Sequence, residues 1–593
     1  MEKEGYEAQI KALKEEIELL KKKQTYEIKR QKYGLNWIDV PEAFEKDSEN
    51  KIPVLEEVKE KSIKNNDGKP THILIEGDNY HALQCLNYTH KGKIDVIYID
   101  PPYNTGSDGF RYKDARFLDE YPDGTEIPKE HPLRHSVWIS YIQKRLKIAE
   151  KLLSQNGVIF ISIDDNELCN LLLLCNSIFT ETNLMAIFPR LTTKSGKTPL
   201  SFMISHDYVI CYTKQNKNIF IGDSYKDDSY KYSDEYVNER GFYNLKQPLD
   251  CNSISYSKSL DYPIEHDGKV YYPGGSKKLY EERKTGKFQQ KDYAWRWSKE
   301  LYEFGLKNGW IVFSKNGRIY TKGYLNARIE KEGNEYKIIY EEKTRKKSTI
   351  DFIQNDYSND IAKKQLLALN LESKFDFPKP INLLSELIKS HFDKSATILD
   401  FFAGSGTTLH ATMKLNEEDG GNRQCILVQL NENNICEEVT YERNRRVMQG
   451  YTNSKGEQIP GLGNSLKYYK TAFIGKNNCK NANDDDRTEL AKKAGCLLSL
   501  GENTLDEICS TEYYQLFTGS KEATAVYFTD DYEKFDEFKE KVAELAPKFK
   551  KTFVYIFAWS SADDFAYEFE DIPNIQIKAI PLPILEIYKS IYN

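Results

Sequence analysis

The stretch Asp100-Pro101-Pro102-Tyr103 constrains this chain of 593 residues more than any other. It follows the apolar, β-branched run Ile94–Ile99, which predicts a buried strand. Two consecutive prolines exclude both helix and strand pairing, so the chain must leave the strand in a rigid, extended turn. The turn fixes a carboxylate, two backbone carbonyls outside regular secondary structure, and an aromatic ring. Such a set suits a planar base with an exocyclic amine, because carboxylate and carbonyl accept its N–H groups and the ring stacks on it.

A second motif lies much further along the chain, at Asp400-Phe401-Phe402-Ala403-Gly404-Ser405-Gly406-Thr407-Thr408. A predicted strand precedes it and a predicted helix follows, which is the context that a glycine-rich nucleotide loop needs. Glycine permits a tight turn and a close approach to a ligand, and the helix N-terminus offers free N–H groups. The absence of a Lys-Ser/Thr pair and of GxGxxG spacing disfavours a triphosphate and favours the amino-acid end of a small cofactor. Each motif by itself has an ordinary alternative as a structural turn.

Taken together, the two motifs resemble those of the amino-methyltransferases, which methylate exocyclic amines with S-adenosylmethionine. The longer stretch ILIEGDNYHALQCLNYTHKGKIDVIYIDPPYNTG, from Ile73 to Gly106, resembles the modification (Mod) subunits of type III restriction-modification systems. A catalytic motif ahead of the glycine loop, with an insert between them, is similar to the β-class arrangement. The resemblance covers residues 30–470 and implies a Rossmann-like α/β fold. That fold is a doubly wound, mostly parallel sheet with an inserted target-recognition domain and a small C-terminal α/β domain.

The resemblance also implies roles for single residues. Asp78 would contact the cofactor adenine, and Lys379 and Pro380 would help to close the methionine pocket. Gln429 stands where this class usually has an acid for the ribose hydroxyls; an amide still bonds a hydroxyl, and Glu432 is the nearest acid. The predicted catalytic residues are Asp100, Pro101, Pro102 and Tyr103. The predicted cofactor-binding residues are Asp78, Lys379, Pro380, Asp400, Phe401, Phe402, Gly404, Gly406, Thr407 and Gln429.

The order of predicted elements divides the chain into five segments. Residues 3–31 read as a charged helix whose apolar seam, from Tyr6 to Leu20, has coiled-coil spacing. Strands and helices then alternate up to residue 214, which indicates a parallel sheet, and a polar stretch at 104–136 is predicted to be a substrate-closing lid. We predict an N-terminal helical arm at 1–35, methyltransferase halves at 36–214 and 371–466, a target-recognition domain at 215–370, and a C-terminal domain for dimerisation or partner contact at 467–593.

The predicted recognition domain is the basic part of an acidic chain. Residues 213–350 contain 27 Lys+Arg and 20 Asp+Glu, whereas the whole chain has a net charge of −7. Basic residues interleaved with aromatic ones are typical of a nucleic-acid surface. The alternative is an ordinary α+β insertion with a solvated face. The candidate DNA contacts are Arg283, Arg296, Arg318 and Arg328.

Composition indicates a protein of the cytoplasm. The 10 cysteines form no CxxC pair, so neither a zinc site nor a disulfide framework is expected, and no metal is required. No run approaches the ~20 apolar residues of a membrane span. The charged N-terminal sequence is not that of a secretory signal.

The resemblance implies site-specific transfer of a methyl group from S-adenosylmethionine to the N6 amine of adenine in double-stranded DNA, with the target base flipped out. It further implies a homodimer and a restriction (Res) helicase-nuclease partner. A solitary enzyme, or one that methylates the N4 amine of cytosine, stays open, although the cytosine subclass more often has Ser in place of Asp100. A protein or RNA methyltransferase usually has Asn at that position. A non-catalytic DNA-binding specificity subunit is a further alternative, against which the intact Asp100, Tyr103, Gly404 and Gly406 argue.

Overall fold

The computed structural model describes residues 37, 51–105, 133–194, 201–215, 217, 219–224, 228–252, 255–333, 335–341, 344–475, 477, 479–559 and 563–589. The predicted N-terminal helix and most of the predicted lid lie outside these residues. The chain divides into two compact units, one formed by Met1–Phe220 with Ser348–Asn593 and the other by Ile221–Lys347.

A nine-stranded sheet organises the larger unit. Its order in space is β1-β9-β2-β8-β7-β3-β4-β6-β5, where the strands in chain order are β1 (Ile52–Glu57), β2 (Thr71–Glu76), β3 (Ile94–Ile99), β4 (Leu153–Ile163), β5 (Leu184–Leu191), β6 (His206–Thr213), β7 (Thr397–Asp400), β8 (Gln424–Gln429) and β9 (Ser465–Ile474). The strands from β9 to β4 run parallel, and antiparallel pairs close both edges.

Helices cover both faces of this sheet. They are α1 (Asn79–Thr89), α2 (Leu133–Leu152), α3 (Leu168–Phe179), α4 (Asn359–Ala368), α5 (Ile381–Lys389), α6 (Thr407–Asp419) and α7 (Glu442–Gln449). Successive side chains of β3 alternate between two cores: Ile97 and Ile99 join the core with α1 and α2, and Val96 and Tyr98 join the core with α5 and α6. Burial on both faces explains why the residues of β3 from Val96 to Ile99 are all apolar or aromatic. The predicted doubly wound, mostly parallel α/β sheet is confirmed. In the part of the chain that the structure describes, no helix is both long and apolar enough to cross a membrane.

The sheet brings the two sequence motifs together. Strands β3 and β7 are parallel neighbours, with Val96 opposite Ile398 and Ile97 opposite Leu399. Strand order reverses at this point, because β3 continues to β4 on one side and β7 continues to β8 on the other. In open α/β sheets, ligands bind in the crevice outside the carboxyl ends of the strands at such a reversal. We refer below to this edge of the sheet as the active-site edge.

The C-terminal part packs on the central sheet. Strand β9 includes residues on both sides of the predicted boundary at 467, so that boundary is corrected: the strand belongs to the central sheet, between β1 and β2. Leu497 and Phe517 share an apolar core with Leu83 of α1, and the Tyr588 hydroxyl donates to the Pro53 carbonyl at 3.0 Å. The elements beyond β9 are α8 (Asp484–Lys493), α9 (Gly495–Gly501), β10 (Asp506–Ser510), β11 (Tyr514–Thr518), β12 (Glu522–Tyr527), α10 (Phe535–Leu545), β13 (Lys551–Ala558), β14 (Ile575–Pro581) and α11 (Leu582–Lys589), with β10 to β14 forming one five-stranded sheet in that order.

The second unit, Ile221–Lys347, lies inside the insertion predicted at 215–370. The remaining residues of that prediction, 215–220 and 348–370, belong to the larger unit, where Phe352 and Leu366 are buried in its core. Leu249, Trp295 and Tyr302 form the core of the insertion. Its strands are Asp223–Ser224 with Thr344–Arg345, Tyr243–Pro248 with Ile311–Phe313 and Ile319–Tyr324, Asp250–Cys251 with Ala294–Trp295, Ile264–His266 with Lys269–Tyr271, and Ala327–Glu332 with Glu335–Tyr340; its α-helices are Val237–Arg240, Lys277–Lys284 and Lys299–Lys307.

Candidate active site

The catalytic turn leaves β3 at the active-site edge and is held from two sides. The Tyr103 hydroxyl donates to Asp100 Oδ1 at 2.9 Å and lies 3.3 Å from Asp207 Oδ2. The indole N–H of Trp138, on α2, donates to the Pro102 carbonyl at 2.7 Å. One of the two carbonyls outside regular secondary structure is therefore bound by the protein itself, and this contact fixes the turn against α2.

Lys379 lies beside the catalytic carboxylate. Its ammonium nitrogen donates to Asp100 Oδ2 at 2.5 Å and to the Tyr103 hydroxyl at 3.0 Å, and its side chain is only 10% exposed. The sequence associates Lys379 with the cofactor, but the structure brings it to the predicted catalytic residues. A charge-assisted contact of this length is among the stronger hydrogen bonds in proteins, so Lys379 orients the Asp100 carboxylate.

A buried ion pair contacts Tyr103, and the sequence did not predict it. Arg190, at the end of β5, donates to Asp207 Oδ1 at 2.7 Å and to Oδ2 at 2.5 Å, and both side chains are almost fully buried. Arg190 also donates to the Tyr357 carbonyl at 2.8 Å and to Asn359 Oδ1 at 3.0 Å. An arginine within the mostly apolar strand β5 was the available signal, since a buried cation requires a partner.

The glycine loop between β7 and α6 turns through two left-handed residues, Gly404 (φ +51°) and Gly406 (φ +71°). A Cβ atom on Gly406 would lie 2.4 Å from Asn444 Nδ2 and 3.0 Å from the Thr440 carbonyl oxygen, and one on Gly404 would lie 3.2 Å from the Phe375 ring. Both glycines are therefore required by backbone conformation and by neighbouring protein atoms.

Asp400 ends β7 as a buried carboxylate. It accepts hydrogen bonds from the Thr408 hydroxyl at 2.5 Å and from the Phe402 backbone N–H at 3.0 Å. Burial raises its pKa to about 7; the two hydrogen bonds and Lys379 act in the opposite direction, and the charge of Asp100 adds to the increase. Asp400 therefore changes its charge near neutral pH.

Gln429 and Asp78 make backbone contacts that the sequence did not indicate. Gln429 accepts from the Gly404 N–H at 2.7 Å and donates to the Leu430 carbonyl at 3.0 Å, so its amide braces the glycine loop. Asp78 caps α1, accepting from the backbone N–H groups of Tyr80 at 2.7 Å and His81 at 3.3 Å. Contact of Gln429 with a ribose and of Asp78 with an adenine stay predictions.

The remaining predicted cofactor residues divide by exposure. The Phe401 side chain is buried in the core, and the Thr407 hydroxyl is buried and accepts from Arg443 at 2.6 Å. These two side chains pack in the core and support the loop, and cofactor contact by Phe401 and Thr407 stays a prediction. Phe402 is partly exposed, and Pro380 is the residue that precedes α5.

The four candidate DNA-binding arginines also differ in the exposure of their side chains. Arg283 is 2% exposed and donates twice to Asp261 at 3.1 Å, so its prediction as a DNA contact is corrected to a structural role within the insertion. Arg296 is exposed. Arg318 and Arg328 are about half exposed; Arg318 lies 3.7 Å from an aspartate, and Arg328 pairs with two nearby glutamates. The described residues contain no cluster of three or more His, Cys, Asp or Glu side chains that could hold a metal ion.

Comparison with known proteins gives a consistent set of relatives. The sequence model of a family described as DNA methylase matches residues 94–439, a range that contains both motifs. The type III restriction-modification enzyme EcoPI Mod subunit of Escherichia phage P1 is 31% identical over 436 residues, which are 68% of this chain and 65% of that protein. The StyLTI Mod subunit of Salmonella typhimurium is 33% identical over 402 residues, 63% of this chain and 55% of that protein.

A type II methyltransferase is similar over a comparable share of this chain. The type II methyltransferase M.KpnI of Klebsiella pneumoniae is 29% identical over 415 residues, which are 67% of this chain and 90% of that protein. The chain thus spans less than two thirds of the length of the two type III relatives, but most of the length of the type II relative.

Proposed function

Since this chain belongs to the DNA methylase family, we propose that it transfers a methyl group from S-adenosylmethionine to the N6 amine of adenine in double-stranded DNA. The observation that carries this proposal is the parallel pairing of β3 with β7. It sets the turn at Asp100–Tyr103 beside the glycine loop at 400–408, at the point of the sheet where ligands bind. A group that accepts amine protons and a loop suited to a small cofactor are thereby adjacent.

The chemistry of the crevice fits S-adenosylmethionine. The partly exposed rings of Tyr103, Phe402 and Phe375 suit flat ligands such as purines and cationic groups such as a sulfonium. The cofactor, when bound, supplies an electrophilic methyl group. We assign its binding to the glycine loop together with Asp78, Lys379, Pro380 and Gln429, with Gln429 acting at least through the loop that it braces.

The catalytic turn acts on the target amine. Hydrogen bonds from the amine to Asp100 and to the Pro101 carbonyl favour a pyramidal, more nucleophilic nitrogen. Lys379 and the Tyr103 hydroxyl hold the carboxylate in position for these bonds. As the nitrogen gains the methyl group it loses a proton, and we assign Asp100 as the acceptor of this proton. The Tyr103 ring stacks on the adenine, which must leave the duplex to reach this site.

The direct test is methyl transfer from tritiated S-adenosylmethionine to DNA of mixed sequence, followed by nucleoside analysis. We expect label in N6-methyladenine. Label in N4-methylcytosine would favour the cytosine alternative. DNA binding without any transfer would favour a non-catalytic specificity subunit.

We further propose that the chain is the modification and recognition subunit of a type III system, acting in the cytoplasm as a homodimer with a restriction helicase-nuclease partner. The identity of 31–33% to two Mod subunits supports this, whereas the match over 90% of the length of a type II methyltransferase keeps the alternative of a solitary enzyme open. A helicase-nuclease reading frame beside this gene, and co-purification of its product with this chain, would decide between them. Light scattering that gives the mass of one chain at micromolar concentration would contradict the dimer.

Sequence recognition is assigned to the unit Ile221–Lys347. A pocket for one flipped base reads little else, so neighbouring bases need a separate reader with cationic and amide side chains. The exposed candidates are Arg296, Arg318 and Arg328. Each base contact should be worth roughly 1–3 kcal/mol of discrimination, and each phosphate contact should change the salt dependence equally for all sequences. Exchange of residues 221–347 for those of a relative with another specificity should move the methylated adenines to the donor's site. An active chimera that keeps the original site would refute this assignment.

A further inference from the structure

Three consecutive apolar side chains are exposed in the connection between β5 and β6. Phe202 is 86% exposed, Met203 39% and Ile204 57%. Phe, Met and Ile are among the residues most often buried, and soluble proteins rarely expose such side chains side by side unless they meet a partner. We call residues 202–204 the apolar tip.

The apolar tip lies at the active-site edge. Ile99 pairs with Ile161, Ile163 pairs with Tyr208, and Leu191 pairs with His206, so β5 ends and β6 begins at the edge where the catalytic turn leaves β3. The segment that carries the apolar tip therefore leads directly into β6, whose Asp207 lies next to the catalytic turn.

The distance from the tip to the catalytic turn is limited by the chain itself. Asp207, whose carboxylate lies 3.3 Å from the Tyr103 hydroxyl, is three residues beyond Ile204 and five beyond Phe202. Extended chain spans at most about 3.5 Å per residue, so Ile204 lies within about 10 Å of Asp207 and Phe202 within about 18 Å. These limits correspond to about three and about five base steps of a duplex, at roughly 3.4 Å per step, so one duplex can meet the tip and the turn together.

The position of the tip and one nearby cation favour DNA over another protein. Lys194 is exposed, three residues beyond the end of β5 at this same edge, and a cation here suits a phosphate backbone. A partner formed by a second copy of this chain would explain the apolar side chains but not their position beside the site where the target base must enter.

We propose that the apolar tip inserts into the DNA beside the target adenine and fills the space that this base leaves in the stack. This inference rests on the proposed function and deepens it. Extrusion of a base sacrifices stacking and pairing, and an apolar side chain placed between base steps recovers part of the lost contact. Phe202, as the most exposed and the aromatic member of the tip, supplies the largest stacking surface. Asp207 follows in the same segment and steadies the ring that receives the flipped base.

The test uses the full chain, S-adenosylmethionine, and duplexes that carry the methylation site mapped for the wild-type protein. With 2-aminopurine at the target position, Phe202→Ala should give a much smaller fluorescence increase on binding than the wild type. Its methylation rate on the paired duplex should fall at least about tenfold. On a duplex with an abasic site opposite the target adenine, where no base pair has to be opened, the rate should fall less than about threefold. Phe202→Leu should retain most of the activity on both duplexes.

Leu173→Ala is the matched control, since Leu173 is a 46% exposed apolar side chain on α3, and it should leave both rates unchanged. Equal losses for Phe202→Ala on the two duplexes would overturn the inference, as would an unaltered rate on the paired duplex. A change of oligomeric state in light scattering would assign the tip to a subunit interface instead. A wild-type protein that methylates no DNA would refute the proposed function, and this inference with it, whereas an active wild type with an unaffected Phe202→Ala variant would refute this inference alone.

Discussion

The buried Asp400 makes a quantitative prediction about Asp400→Asn. Burial raises the pKa of this carboxyl from 3.8 to about 7, so the folded protein resists the loss of its proton. The folded state binds more protons than the unfolded state between these two values, and stability therefore falls as the pH rises through this range. About three pKa units at about 1.4 kcal/mol each correspond to roughly 4 kcal/mol lost once the pH exceeds 7.

Asparagine occupies the same volume and cannot ionise. Its side-chain oxygen still accepts the hydrogen bond from the Phe402 N–H, and any change in the Thr408 contact is present at every pH. The difference between two pH values therefore isolates the ionisation. We therefore compare the free energy of unfolding of Asp400→Asn with that of the wild type at each pH. This difference should shift in favour of the variant by roughly 2 kcal/mol between about pH 5.5 and about pH 8.

The assay is urea denaturation of the cofactor-free protein at both pH values, followed by tryptophan fluorescence. Asp419→Asn is the matched control. Asp419 ends α6, and although burial opposes the change, Arg423 lowers its pKa, so both its folded and unfolded values lie below the tested range. This control should lose stability equally at the two pH values. If the stability of Asp400→Asn relative to the wild type is the same at the two pH values, the reasoning about the buried carboxylate is refuted.

Three further variants test the rest of the site. Asp100→Ala should lower methyl transfer at least about 100-fold while calorimetry finds S-adenosylmethionine affinity unchanged, and activity within about tenfold of wild type would contradict the catalytic assignment. Gly406→Ala should lower both stability and cofactor affinity in a thermal-shift titration, because its Cβ would meet Asn444. Gly420→Ala is its control, since Gly420 has φ +66° at the other end of α6 and no atom within 4 Å of its Cβ. This control should cost about 1–2 kcal/mol of stability and leave cofactor affinity unchanged. Arg190→Met should cost roughly 3–5 kcal/mol, since it leaves the buried Asp207 carboxylate without its partner, and denaturation that shows no loss would mean that the pair is not sealed from water.

The sequence by itself determined the local elements of this site. An apolar run followed by two prolines can form little other than a buried strand and a rigid exit turn, and β3 with its catalytic turn follows that expectation. The glycine loop is equally local, since left-handed backbone at Gly404 and Gly406 selects glycine wherever the fold places it. The spacing of these elements also predicted the doubly wound sheet, because alternating strand and helix patterns restrict the topologies that a chain can adopt.

Tertiary structure decided which side chains meet across these elements. Lys379 contacts Asp100 across 279 positions of sequence, the Gln429 amide is bound by the glycine loop, and Arg283 is buried within the insertion. Hydrophobic periodicity reports which face of an element is covered, but it carries no information about the order of strands or the partner of a polar group. The same limit explains why the sequence did not place β9 between β1 and β2, since the residues of a strand do not name its neighbours. Strand order set Asp100 beside Asp400, and burial then gave Asp400 its raised pKa, because the free energy of a charge depends on all the atoms around it rather than on its neighbours in the chain.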